Sequence, residues 1–215
     1  MKFFIVGETC SGKDSIVNAL CEQLNLRPVV SYTNRPKRET ETEGVEHYFR
    51  SKKEFRKIKK DKKNIIAYTK IYQPKNKFDD ICHKVFPFFY KNDGYEYLAT
   101  KDELEKSDLY VIDPNGINYL PKRHPEIDFA IIYIHADMET RINRSINNRS
   151  ENVEIFMERC RNESDQFARF FSELDVDNQC SSVNNKNVKL IRNEDGEFDQ
   201  AVEKAKEFIL SYKYK

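Results

Sequence analysis

Apolar residues along the chain form short continuous runs that alternate with stretches of helical spacing. The run at residues 2–6 is apolar after Lys2 and ends at Gly7, which is typical of a buried parallel strand. Helices are predicted from Lys13 onward, over residues 153–171 and over residues 198–209, because apolar residues recur there on one helical face. Further strands are predicted at residues 28–32, 109–112, 129–135 and 188–191.

Strands that alternate with helices predict an α/β fold, in which helices cover both sides of a parallel sheet. The length of 215 residues allows one domain with a substantial core, or a domain with a small lid. The sequence shows no internal repeat, and its six glycines and seven prolines are few for a flexible multidomain chain. We therefore expect a single domain.

Two segments depart from this alternation. Residues 52–63 are strongly basic, with Phe55 and Ile58 three residues apart, which predicts a solvated helix with a small buried edge. Residues 72–97 are dense in Phe and Tyr. This aromatic segment is either an ordinary packed excursion or a surface for a partner.

The composition excludes several classes of protein. The 37 basic and 36 acidic residues give a net charge of +1, which argues against a general nucleic-acid binder. The apolar run near the N terminus is too short for a secretory signal or a membrane span. The five cysteines are scattered and form no C-x-x-C pair, so we expect a reduced, cytoplasmic protein with free thiols.

The stretch GETCSGKDS, at residues 7–15, nearly matches the phosphate-binding loop G-x-x-x-x-G-K-[ST]. Its context, directly after a predicted strand and before a predicted helix, strengthens the match. In such a loop the backbone N–H groups and the helix N terminus surround the phosphates, and Lys13 reaches them as a point charge. The predicted ATP-binding residues of the loop are Gly7, Cys10, Ser11, Gly12, Lys13, Asp14 and Ser15.

Asp14 occupies the position where the pattern has a hydroxyl that binds magnesium. A carboxylate beside the phosphates is a suitable oxygen ligand for Mg²⁺, directly or through water, and Ser15 provides a hydroxyl one residue later. The sequence therefore predicts that the loop still binds ATP with magnesium, and that Asp14 and Ser15 are the metal ligands.

A second group of polar residues follows the predicted strand at residues 28–32. Arg35 and Arg38 are three residues apart, and two guanidinium groups form a fork that suits a doubly charged phosphate. Tyr48 adds a hydroxyl a few residues later. Because a phosphate loop precedes this group, we interpret it as the binding site for the phosphate of a second substrate.

The first 50 residues resemble guanylate kinase, whose phosphate loop is followed by S-x-T-x-R-x-x-R-x-x-E-x-x-G-x-x-Y-x-F. His47 stands at the tyrosine position of this pattern, and Tyr48 follows it directly. The residues that fit the pattern are Ser31, Thr33, Arg35, Arg38, Glu41, Gly44 and Phe49.

The resemblance implies a P-loop NTPase fold with a three-layer α/β/α core, a parallel sheet, a small substrate-binding subdomain and a mobile helical lid. The implied core comprises residues 1–30, 101–140 and 175–215. The subdomain then spans residues 31–100 and the lid residues 141–160. Residues 72–92 have no counterpart in the family and form an insert, either an extra cover over the monophosphate pocket or a homodimer contact.

The resemblance also implies roles for individual residues in binding the nucleoside monophosphate. Asp113 corresponds to the aspartate that reads the nucleobase, and Tyr97 to a tyrosine that helps to hold the monophosphate. Ala67 stands where the family has a second base-reading carboxylate, so the specificity for the nucleobase can be relaxed or different from that of the family. The implied substrate-binding residues are Ser31, Arg35, Arg38, His47, Tyr48, Tyr97 and Asp113.

The family places arginines in its lid, where they neutralise the phosphoryl group in transfer. Arg141, Arg144, Arg149 and Arg159 are the candidates, and the spacing favours Arg149 and Arg159 over Arg144. Asn193 corresponds to an asparagine that contacts the adenine of ATP.

The sequence therefore predicts an ATP-dependent kinase of a nucleoside or deoxynucleoside monophosphate, with GMP or dGMP the first candidates. The implied catalytic residues are Lys13, Arg35, Arg149 and Arg159, and the implied cofactor is Mg²⁺. Two alternatives stay open: a non-catalytic binding module related to guanylate kinase, which the presence of Lys13 argues against, and a P-loop kinase of a different small acceptor. We expect no nucleic-acid or membrane partner.

Overall fold

The computed structural model describes residues 1–39, 41–71, 94–149, 151–172, 179–180 and 186–213. For residues 71, 149, 171–172, 179–180, 186–187 and 213 it describes the backbone alone. The chain divides into two compact units, the first formed by Met1–Val29 with Leu104–Lys215 and the second by Val30–Glu103. The predicted insert at residues 72–92 lies outside the described residues, so its two proposed roles stay predictions.

The first unit contains a five-stranded sheet in the order β6-β1-β7-β9-β8. Its strands are β1 (Lys2–Gly7), β6 (Leu109–Val111), β7 (Phe129–His135), β8 (Gln179–Cys180) and β9 (Lys186–Arg192). The pairs of β1 with β6, β1 with β7 and β7 with β9 are parallel, whereas the two-residue β8 runs antiparallel to β9. The predicted parallel sheet is confirmed.

Helices cover both faces of this sheet. The helices of the unit are α1 (Lys13–Leu24), α3 (Lys101–Glu105), α4 (Pro114–Arg123), α5 (Met138–Arg149), α6 (Val153–Ser172) and α7 (Phe198–Lys213), of which α3 begins in the second unit. On one face, Phe3 and Ile5 of β1 share a buried cluster with residues of α1 and α7. On the other face, Tyr133 of β7 packs against Phe167 and Phe170 of α6. The unit therefore has the α/β fold of P-loop proteins, with the sheet between two helical layers.

The predicted helical faces are largely confirmed. In α1, Ile16 and Leu20 are fully buried, as the spacing predicts. Two positions differ: Val153 is 44% exposed at the start of α6, and Phe198 is 38% exposed at the start of α7. Each is the first residue of its helix.

The second unit contains a four-stranded sheet in the order β3-β2-β5-β4. Its strands are β2 (Ser31–Thr33), β3 (His47–Phe49), β4 (Ile65–Ile71) and β5 (Tyr95–Thr100), and only β2 and β3 are parallel. Because Ser31 pairs with His47 and Thr33 with Tyr97, these residues lie on one face of the sheet. Tyr32 and Tyr48 lie on the opposite face.

The predicted strand at residues 28–32 is wrong in its boundaries. Pro28 makes only an isolated bridge to Leu109 in the first unit, and the strand proper begins at Ser31 in the second. The mainly apolar sequence of residues 28–32 predicts extended backbone, but it does not reveal that the chain leaves one sheet and enters another within these residues.

The basic segment forms α2 (Lys52–Lys60), with Phe55 fully buried and Ile58 half-buried, which confirms the predicted solvated helix with a small buried edge. Ser51 and Glu54 form a reciprocal capping box at its N terminus, in which each side chain satisfies a backbone N–H group. None of the helices in the described ranges is both long and apolar enough to cross a membrane.

Candidate active site

The phosphate loop connects β1, which ends at Gly7, to α1, which begins at Lys13. Two of its residues have left-handed backbone conformations, Cys10 with φ 60° and Gly12 with φ 87°. A Cβ atom at Gly12 would lie 2.3 Å from Nδ2 of Asn193. Glycine is therefore required at this position both by its backbone angles and by the close approach of Asn193.

The loop presents the N terminus of α1 to solvent. Gly12 is the N-cap residue, and within the described residues no side chain caps this terminus. The first turn of a helix carries N–H groups without intrahelical partners, and together with the helix dipole they bind anions. Nζ of Lys13 lies 3.4 Å from the carbonyl oxygen of Glu8, folded over the loop. This arrangement suits a phosphate group.

A cavity of about 480 Å³ adjoins the loop. Asp14 and Ser15, in the first turn of α1, are exposed and line it. Their carboxylate and hydroxyl oxygens are hard ligands, so this donor set fits Mg²⁺. The full lining is Cys10, Gly12, Lys13, Asp14, Ser15, Arg144, Asn148, Asn193 and Phe198.

Asn193 anchors the phosphate loop. It is 1% exposed, and its Nδ2 donates a hydrogen bond to the carbonyl oxygen of Ser11 over 2.8 Å. Its own N–H group donates to the carbonyl oxygen of His135 at the end of β7 over 2.8 Å. The resemblance implied only an adenine contact for Asn193, whereas the structure shows that it also fixes the backbone of the loop.

Two of the candidate arginines contact the phosphate loop. Nη1 of Arg144 donates to the carbonyl oxygen of Ser11 over 3.3 Å, and its Nε pairs with Asp195 over 3.1 Å. Arg159 forms a hydrogen bond from Nη2 to the hydroxyl of Thr9, and its Nη1 contacts both carboxylate oxygens of Glu151. The structure therefore brings both Arg144 and Arg159 into contact with the loop.

The other two candidate arginines differ from this pair. Arg141 is 5% exposed and pairs through Nη1 with the carboxylate of Glu8 over 3.4 Å. Glu8 also accepts a hydrogen bond from the hydroxyl of Tyr133 over 3.1 Å. The side chain of Arg149 lies outside the described residues, so its catalytic role stays a prediction.

Arg35 and Glu41 form a buried ion pair in the second unit. Nη1 and Nη2 of Arg35 donate to the two carboxylate oxygens of Glu41 over 2.6 and 2.5 Å. The guanidinium group also lies over the ring of Phe49, 5.2 Å from its centroid. These hydrogen bonds lower the pKa of Glu41 to about 2 and raise the pKa of Arg35. Arg35 is therefore held in one orientation.

His47 lies on the same sheet face as Ser31 and Tyr97. Its Nδ1 is 2.8 Å from the hydroxyl of Ser31, and its ring meets Tyr97 edge-on at 5.5 Å. Burial lowers the pKa of His47, and the positive charge of Arg35 lowers it further. The structure thus groups four predicted substrate-binding residues, namely Ser31, Arg35, His47 and Tyr97.

The remaining predicted substrate-binding residues are placed elsewhere. Tyr48 lies on the opposite face of the sheet, where its ring contacts Tyr32 at 4.8 Å. Arg38 is exposed, and its N–H group donates to Glu41 over 2.8 Å. Asp113, in the first unit, is the N-cap of α4 and accepts a hydrogen bond from the N–H group of Gly116 over 2.7 Å.

Sequence reasoning missed several residues of the loop environment. Phe198 was assigned to a buried helical face, although it lines the cavity. Asn148 is four residues after Arg144 on α5, and this spacing was the available signal that both reach the same cavity. Thr9 and Glu163 carried no signal, because a contact between residues so distant in sequence depends on the tertiary fold.

Comparison with known proteins identifies similar chains. The family model for guanylate kinase matches residues 2–91. The guanylate kinase of Rickettsia felis is 28% identical over 206 residues, which cover 95% of this chain and 90% of the relative. The relative from Rickettsia bellii is 29% identical over 49% of this chain, and that from Bacteroides thetaiotaomicron is 41% identical over 29%. These two matches span only 58% and 31% of the relatives' own lengths.

A crystal structure of guanylate kinase from Anaplasma phagocytophilum superposes with a TM-score of 0.60. The match covers 100% of this chain and 87% of that one, at 17% sequence identity. At this identity the likeness shows the fold alone. With the match of the family model and the relatives above, it shows that this chain is similar to guanylate kinases.

Proposed function

We propose that the chain is a kinase that transfers the γ-phosphoryl group of ATP to a nucleoside or deoxynucleoside monophosphate. One observation carries this proposal above the others. The loop at residues 7–13 combines a left-handed Gly12, an exposed helix N terminus and Lys13 beside a cavity of about 480 Å³. Helix N–H groups and a lysine at one cavity are the elements that bind the phosphates of ATP.

The donor phosphates bind to the loop N–H groups and to Lys13. Asp14 and Ser15 would hold the magnesium ion, which would neutralise part of the charge of the phosphates. Asn193 and Phe198 lie in the same cavity and are available to the adenine ring. Asn193 also stabilises the conformation of the loop, because its side chain donates a hydrogen bond to the carbonyl oxygen of Ser11.

The acceptor phosphate binds to Arg35, with Ser31, His47 and Tyr97 beside it. Glu41 and Phe49 hold the guanidinium group of Arg35 in a single orientation, which lowers the entropic cost of binding a phosphate. Arg38 is exposed and is available as a second cation for the same phosphate.

Phosphoryl transfer requires little from the protein beyond position and charge, so no covalent intermediate is proposed. Arg159 and Arg149 are the proposed catalytic arginines of a lid at residues 141–160, and Arg144 joins them because it contacts the loop. These groups stabilise the charge that develops on the transferred phosphoryl group.

GMP and dGMP are the first candidates for the acceptor, because the proteins that this chain resembles are guanylate kinases. Asp113 is proposed to read the base through the carboxylate that also caps α4. At the second reading position, Ala67 is buried and faces Ala99 across the ladder, so it offers no acceptor for the N–H groups of guanine. A site without this acceptor discriminates less strongly among bases. We propose a cytoplasmic enzyme that tolerates more than one base.

The experiment that tests this function is ADP release from ATP–Mg²⁺ with GMP, dGMP, AMP, dAMP, CMP, dCMP, UMP and dTMP as acceptors. The proposal expects turnover on one or a few of them. If ATP binds but none reacts, the acceptor is not a nucleotide. If ATP does not bind either, the loop is inactive and a binding module becomes the better interpretation.

A further inference from the structure

The N–H group and the hydroxyl of Thr9, the third residue of the phosphate loop, are both hydrogen-bonded to a single helix. Thr9 is 2% exposed. Its N–H group donates to Oε2 of Glu163 over 2.8 Å, and its hydroxyl accepts a hydrogen bond from Nη2 of Arg159. Arg159 and Glu163 are four residues apart on α6, so both project from the same face of that helix. The loop and α6 are therefore joined by two contacts at one residue.

The other side of the Arg159 guanidinium group is fixed as well. Glu151, in the turn before α6, accepts hydrogen bonds from Nη1 through both carboxylate oxygens, over 2.8 and 2.9 Å. Glu151 is itself held, because the buried hydroxyl of Ser145 on α5 donates to its Oε2 over 2.6 Å. Glu151 and Thr9 of the phosphate loop thus contact the guanidinium group directly, and α5 supports Glu151 through Ser145.

A free arginine side chain samples many rotamers, and restricting it to the one that neutralises a phosphoryl group costs conformational entropy. Here Thr9 and Glu151 restrict Arg159 from two directions. Because Thr9 is part of the loop that surrounds the donor phosphates, any displacement of the loop also displaces Arg159.

We propose that Thr9 and Glu151 are positioning residues that hold Arg159 against the phosphate loop for catalysis. This inference rests on the proposed kinase function. The loop pattern leaves the position of Thr9 unspecified, so the pattern itself assigns no role to this side chain. The consequence of the inference is that removal of the Thr9 hydroxyl slows transfer without weakening ATP binding, since the N–H groups of the loop are unchanged.

The test compares Thr9→Val, which has the same shape but no hydroxyl, with Thr9→Ser, which keeps the hydroxyl. The expected result is a fall in kcat of about ten- to a hundredfold for Thr9→Val, the size of effect that a misplaced group produces, with KM for ATP little changed. Thr9→Ser should stay close to the original protein, and Glu151→Gln should resemble Thr9→Val. The control is Glu158→Gln, which removes an exposed carboxylate adjacent to Arg159 in sequence and should have no effect.

A second arm places Thr9→Val in an Arg159→Ala background. If Thr9 acts through Arg159, the valine should cause no further loss there, because coupled residues are not additive. An equal loss in both backgrounds, or a fully active Thr9→Val, would overturn the proposal.

Hydrogen exchange gives a readout that does not depend on activity. The Thr9 amide should exchange slowly in the original protein and at least about tenfold faster in Glu163→Ala, where its acceptor is gone. Unchanged exchange would show that α6 does not hold the loop, and the inference fails. If no acceptor is phosphorylated by the original protein, the proposed function fails, and exchange alone decides whether α6 holds Thr9.

Discussion

Replacing Glu41 with glutamine should destabilise the second unit markedly at neutral pH. The carboxylate is 11% exposed and its partner Arg35 is 7% exposed, so the solvent screens little of their attraction. The pKa of Glu41 falls from the ordinary 4.5 to about 2, chiefly through its hydrogen bonds with Arg35. At about 1.4 kcal/mol per pKa unit, the shift corresponds to about 3–4 kcal/mol. Because glutamine keeps a neutral hydrogen-bond acceptor for Arg35, we expect Glu41→Gln to lower the free energy of unfolding by about 2–3 kcal/mol.

The sign of the pH dependence follows from the direction of the shift. A carboxylate whose pKa is lowered on folding stabilises the folded state above its unfolded pKa of 4.5. This stabilisation declines as the pH falls from about 4.5 towards about 2, and more than half of it is gone by about pH 3. The difference between the original protein and Glu41→Gln should therefore shrink steadily over the same range.

The assay is equilibrium unfolding in urea at pH 7, pH 5 and about pH 3, followed by circular dichroism or by tyrosine fluorescence, since the chain has no tryptophan. Glu43→Gln is the matched control, because Glu43 pairs with Arg50 at the surface, where the side chains are 49% and 30% exposed. It should cost at most about 1 kcal/mol. The reasoning is refuted if Glu41→Gln costs no more than the control at pH 7, or costs as much at pH 3 as at pH 7.

Four further predictions concern the two sites. Lys13→Ala should weaken the binding of ATP–Mg²⁺ about a hundredfold in calorimetry, because a charged hydrogen-bond donor is lost; unchanged affinity would contradict its role. Asn193→Ala should raise the Kd for ATP about tenfold and lower the free energy of unfolding by about 1–2 kcal/mol, and an unaffected Kd would show that the anchor is dispensable. Asp14→Asn should raise the magnesium concentration needed for ATP binding about tenfold while leaving metal-free binding no weaker; an identical magnesium titration would exclude Asp14 as a ligand. In an NMR titration, His47 should have a pKa below the ordinary 6.5. Its neutral form therefore contributes stability above pH 6.5, and this stability is lost as the pH falls through the lowered pKa. The pKa should rise when a phosphate monoester binds, and a pKa at or above 6.5 in the free protein would contradict the structure.

The parallel sheet of the first unit was predictable from the sequence because its strands are buried on both faces. Such strands form unbroken apolar runs between helical patterns, and β1, β6 and β7 do so. In β9, Lys189 interrupts the apolar run and Leu190 is 50% exposed, so its pattern is weaker. The second sheet was not predicted in the same way. Its strand β3 has only three residues, and β4 and β5 pair with one another although residues 72–94 separate them in sequence, so no local pattern reveals their partners.

The phosphate loop itself was predictable from the sequence, because its glycines and Lys13 occur at a fixed spacing and have defined chemical roles. The contacts that hold the loop were not. Asn193 contacts Ser11 of the loop from 182 residues away in sequence, and Arg159 contacts Thr9 from 150 residues away. Local spacing determines which residues share an element, but tertiary packing determines which element approaches the loop. For the same reason, the spacing of the arginines did not predict that Arg144 contacts Ser11.

The most direct test of the central claim follows the γ-phosphate of radiolabelled ATP–Mg²⁺ in the presence of GMP and dGMP. The account predicts that the label appears in a nucleoside diphosphate, and that Lys13→Ala abolishes its transfer. Lys106→Ala, which removes an exposed lysine of the first unit, should transfer label at the original rate. Label that remains in ATP, or that is released only as inorganic phosphate, would contradict the account.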